Sequence, residues 1–329
     1  MDEINQHVGN WRKGRRRARR LARRDPRFRV VDGSFFKTIS ELARTVKNLV
    51  HREGNKRFPG GFLPADVAVM LNQLRITFDL LIFINCDERR DEDPSYRHGY
   101  SFVALPLIRT LIDGFYNITF LLDHPTETRA FRLSGYKKML DSLKAEEQLY
   151  GKEKGWPEFI AQERDRLRIG YEDDGFGVLD LSEKVRWNTL SIYLQSDPAL
   201  DDEHKKLMRR FSYGPWRQYS EMSHVSFRGV HELFIYLNTD DAPHEQREMI
   251  LERAEREMTT HLGRAAAILL ALLTEIQAAF SFDGHNVNQR LHAAWRGVLQ
   301  MPEGEEMFNL RYRDLMNVRK ILDSPSVTS

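Results

Sequence analysis

The spacing of apolar residues constrains this chain more than any other feature. Where they cluster they recur every three or four positions, and strand-like alternation is nearly absent. Over residues 34–52, Phe35, Phe36, Ile39, Leu42, Val46, Leu49 and Val50 fall on one side of a 3.6-residue helix. The same period predicts helices over 64–86, 100–122, 125–150, 202–212, 215–237, 243–280, 285–299 and 303–322. Pro64, Pro125 and Pro215 stand in first turns, where the missing N–H costs nothing. Pro106 falls inside its helix and predicts a kink. Residues 151–200 are rich in Gly, Asp and aromatics and predict loops with short helices. The expected fold class is therefore all-α. One multi-helix bundle would occupy 31–323, with its core over about 65–280, C-terminal helices over about 285–322, and a tail at 324–329.

The longest apolar runs, 265–273 and 78–86, fall short of the roughly 18–20 residues a bilayer span needs. Each is bounded by charge, so the expectation is buried core helices and no membrane span. No apolar stretch follows the N-terminal basic block, so no signal segment is expected and the cytoplasm is the expected compartment. The single cysteine, Cys86, has no internal disulfide partner.

A net charge of +2 conceals a marked asymmetry. Residues 1–30 hold eleven Lys/Arg against three Asp/Glu, a balance of +8, which leaves −6 for the remainder. Arg12, Arg15, Arg16, Arg17, Arg19, Arg20, Arg23 and Arg24 form the densest part of this basic arm. Guanidinium groups suit phosphate, so the arm is a candidate nucleic-acid-binding segment. An anionic membrane surface and the acidic surface of a protein partner are the other anions it could meet.

Two segments carry candidate chemistry. Arg109, Asp113 and Asn117 recur every four residues, which stacks them on one face of an otherwise apolar helix. Charges in such surroundings need pairing, either with one another or with a ligand. Further along lie Arg217, Tyr219, Ser220, Ser223, His224 and His231. If helical, Arg217 and His224 share a face, about 10 Å apart. Glu221 and His224 have the spacing of helical di-iron ligands, but no second such pair exists, so no metal is expected. Phosphate-loop, dinucleotide, zinc and nucleophile-elbow motifs are absent, and no cofactor is expected.

These segments, read as LIRTLIDGFYNITFLLDHPTETRAFRLSGYKKM and WRQYSEMSHVSF, resemble a bacterial all-helical family known as a domain of unknown function (number 5677). The resemblance covers roughly residues 65–280. It implies that Arg109, Asp113, Phe131, Tyr136, Tyr219, Ser223 and His224 are the family's motif positions, with Asp113 where Glu is usual. A weaker likeness, through Arg217 and His224, is to the HEPN superfamily of helical ribonucleases, with six residues between Arg and His and Gln218 after the Arg. That likeness implies a HEPN-like core and metal-independent cleavage of RNA, rather than DNA, at a homodimer cleft. His224 would act as acid/base, Arg217 would hold the scissile phosphate, and Arg109, Asp113, Asn117, Tyr219, Ser220 and Ser223 would support them. A toxin or phage-defence role would follow. The alternative is a non-enzymatic helical module that binds nucleic acid or a partner, with a structural Arg/Asp/His cluster.

Overall fold

The computed structural model describes residues 33–86, 94–177, 187, 203–211, 216–223, 243–282, 285–299 and 301–313. The basic arm and residues 224–242, which include His224, lie outside these. Ten α-helices and no strand occur among the described residues: α1 (Gly33–Arg57), α2 (Leu63–Cys86), α3 (Pro94–Asp123), α4 (Thr128–Tyr150), α5 (Trp156–Asp173), α6 (Glu203–Phe211), α7 (Arg217–Ser223), α8 (His244–Phe280), α9 (Val287–Val298) and α10 (Pro302–Met307), followed by a π-helical turn, Phe308–Tyr312. The fold is an all-α multi-helix bundle.

The apolar stripe of α1 is buried along its length through Phe36, Ile39, Leu42, Val46, Leu49 and Val50. It packs on α2, which in turn packs on α3. Close approach of α2 and α3 depends on Gly114, since a Cβ there would stand 2.5 Å from Leu74 Cδ2. The long helix α8 lies against α1, α2 and α3. From Leu262 to Leu273 nearly every side chain is buried, as a helix apolar all round requires. At its far end the Trp295 indole donates to Thr274 Oγ1 at 3.0 Å and stacks on Tyr312 at 5.4 Å. Arg311 forks onto Glu275 at 2.5 and 2.9 Å, closing the bundle with a buried ion pair. Burial opposes the Arg311 charge, but the Glu275 carboxylate outweighs it and the guanidinium pKa is raised.

Two expectations change. Where loops and short helices were expected after residue 150, α5 is a regular helix of 18 residues. It buries only Ile160 and Tyr171, so no apolar stripe announces it. Surface pairs support it instead: Arg166 with Glu163, and Arg168 with both Asp165 and Glu172. The expectation of no membrane span is overturned as well. Three helical stretches, Leu63–Asn85, Phe102–Asp123 and Thr259–Phe280, are long and apolar enough to cross a bilayer. Short apolar runs understate these helices, whose isolated charges are matched within them: Arg75 and Asp79 pair with each other at 2.5 Å. At 1.5 Å per residue, 22 or 23 residues reach roughly 33–35 Å. Within the bundle these stretches are 50%, 56% and 83% buried, so the first two also keep an outward face.

Candidate functional site

The two polar stripes meet. α7 packs against α3, and Arg109 Nη1 donates to Ser220 Oγ at 3.0 Å. Asp113 accepts from the Trp216 indole N–H at 2.7 Å. The Arg109 guanidinium also lies over the Trp216 ring, 5.1 Å from its centroid, and pairs with Asp113 at 3.6 Å. Trp216 and Ser220 are one turn apart, so two adjacent residues of one helix face engage two adjacent residues of the other. Nearly half of the Asp113 side chain is exposed (47%). Even so, partial burial pushes the carboxyl pKa up, and the Trp216 hydrogen bond and the Arg109 charge do not bring it back.

Asn117, one turn further along α3, accepts from the Trp187 indole N–H at 3.0 Å. That indole sits edge-on between Phe120 and Phe131, 5.3 Å from each. Arg217 turns the other way: its side chain is 71% exposed and pairs with Glu221 at 2.9 Å. Ser223 closes α7, but its side chain lies outside the described residues, as do His224, His231 and the eight arginines of the arm.

Tyr219 faces the opposite side of α7 and is fully buried against α8. Its hydroxyl accepts from Arg264 and lies 3.2 Å from His261 Nδ1. Burial, with the nearby Arg264 charge, lowers the His261 pKa to about 4. Sequence reasoning singled out Tyr219 but missed His261 and Arg264. Their signal is a polar pair, three residues apart, at the start of the most apolar stretch of α8.

A third cluster surrounds Arg132. It binds Asp66 of α2 through two nitrogens at 2.8–3.1 Å and Asp174 at 2.6 Å, with Phe62 beneath its guanidinium at 4.1 Å. Tyr136 donates to Asp174 at 2.8 Å; burial and then that carboxylate raise its pKa to about 12. This cluster locks the α4–α5 hairpin onto α2. Among the described residues no group of three or more His, Cys, Asp or Glu side chains is arranged to hold a metal.

Fold and seam together define an all-α bundle whose polar residues join helices in pairs. Compared with family models, with curated proteins and with solved structures, the chain finds no match in any of the three.

Proposed function

We propose that this chain is a non-enzymatic helical scaffold that presents a strongly basic N-terminal segment to a phosphate-rich partner. The observation that carries the reading is the mutual engagement of the two stripes. Arg109 is neutralised by Asp113, covered by Trp216 and hydrogen-bonded to Ser220. Asp113 is likewise bonded across to α7. Groups engaged in this way hold helices together. Recognition then falls to the +8 of residues 1–30, whose binding to phosphates releases counterions and weakens steeply with salt.

One observation favours the HEPN-like ribonuclease reading: the Arg217 guanidinium is open to solvent, held by a single pair one turn away. Both readings are tested on the full chain with labelled single-stranded RNA over a salt series. The scaffold reading expects salt-sensitive binding and intact RNA in EDTA. Replacing Arg15, Arg16, Arg17, Arg19, Arg20 and Arg23 by Gln should flatten the salt slope by several units. Absent or salt-independent binding would overturn it. Cleavage in EDTA that His224→Ala abolishes, with the unfolding midpoint unchanged, would establish the ribonuclease instead.

A further inference from the structure

Among the described residues the outward face of α2 stands out for its apolar character. Its exposed positions, spaced three or four apart, are Ala65, Val69, Gln73, Ile76, Leu80 and Phe83. Five of the six are apolar and none is charged, in a chain where 30% of residues carry charge. Val69 keeps 69% of its surface, Phe83 63% and Ile76 53%. The charged residues of α2 are turned off this ridge and engaged elsewhere: Asp66 with Arg132, and Asp79 with Arg75 and Ser40. The connection between α2 and α3 is short, so the two helices run antiparallel. The end bearing Leu80 and Phe83 therefore lies at the α3 end where Val103 and Pro106 are exposed.

Two features indicate what covers the ridge. The first is size. Six outward positions over some five turns make a ridge roughly 27 Å long and one helix wide, roughly 270 Å², against about 800 Å² per partner for a stable protein interface. The second is charge. α1, packed alongside α2, holds six Lys/Arg against two Asp/Glu. The first ring of α1 to reach α2, Phe36, meets Phe78 at 6.4 Å. Helix α1, which follows the +8 segment in sequence, thus begins at the Leu80–Phe83 end of the ridge. A hydrophobic ridge flanked by basic charge suits a surface with an apolar interior and anionic headgroups.

We propose that α2 lies in the plane of an anionic bilayer surface, with Val69, Ile76, Leu80 and Phe83 among the acyl chains and the basic segment on the lipid phosphates. The proposal rests on the scaffold reading above and names its partner.

The test is co-sedimentation of the full chain with vesicles of phosphatidylcholine alone and with about 30 mol% phosphatidylserine, typical of an anionic leaflet, alongside the RNA titration. Binding is expected only to the anionic vesicles. It should fall at least tenfold in Leu80→Ser/Phe83→Ser, whose exposed positions leave helicity unchanged by circular dichroism, while RNA binding stays as in the wild type. Absent or salt-independent RNA binding by the wild type would overturn the scaffold reading itself. RNA binding without vesicle binding, or ridge variants that still sediment fully, would overturn this inference alone. A wild-type dimer in light scattering that the ridge variant dissociates would assign the face to a second copy instead. Retention in cell membranes through alkaline carbonate would assign it to a spanning helix.

Discussion

At the scale of single residues, the fold changes the pH at which His261 can take up a proton. Burial and the Arg264 charge hold its imidazole neutral to about pH 4, against an ordinary value near 6.5. Above 6.5 neither the folded nor the unfolded chain protonates it, and it contributes no pH dependence. Between 6.5 and about 4 only the unfolded chain takes up the proton, so stability falls with pH across that window, by at most roughly 3 kcal/mol. Below it both states are protonated and the slope from this residue ends. Urea unfolding at pH 7 and pH 5 should show the loss. His261→Gln, which keeps a polar group beside Tyr219 but cannot titrate, should remove most of the difference.

Between elements, the seam of α3 and α7 makes a sharper distinction than any single contact. Asp113→Asn keeps the oxygen that accepts from Trp216, and the change should be felt little, within about 0.5 kcal/mol. Asp113→Ala leaves the indole N–H without its acceptor and should cost about 1–2 kcal/mol. Neither should alter polyanion affinity; both follow from urea titrations read through tryptophan fluorescence. A residue engaged in catalysis would show the reverse, with activity lost in both variants at little cost in stability.

The seam was half legible in the sequence. The four-residue recurrence of Arg109, Asp113 and Asn117 placed them on one face, and the second segment supplied Ser220. Which residue would meet which needed the packing of α7 on α3, and periodicity carries no information about that. Trp216 is the instructive miss, because an indole reads as core although its one N–H decides where Asp113 points. Helix α5 escaped for a related reason: ion pairs and two buried side chains define it, and a search for apolar stripes passes over such a helix.

For the whole molecule, the all-α class was readable because nine predicted segments agreed on one period, and an error in one left the class intact. The membrane expectation failed at this same scale. Short apolar runs measure a stretch of sequence, whereas a helix meets its surroundings with all its faces together, and Arg75 and Asp79 cancel within α2. Closure of the bundle, by contrast, depends on partners far apart in the chain. Glu275 is nearly sealed from water and its countercharge is Arg311. Arg311→Ala would strand that carboxylate and should cost about 3–5 kcal/mol in a thermal or urea unfolding experiment.

The same pairing sets an order of events on the ribosome. Glu275 leaves the exit tunnel 36 residues ahead of its counterion, so for that interval the nascent bundle holds an acid that it cannot yet bury. The long central helix can dock fully only once the final turn has emerged. A message truncated just ahead of the Arg311 codon would therefore yield a chain that lacks both this ion pair and the Tyr312 ring stacked on Trp295.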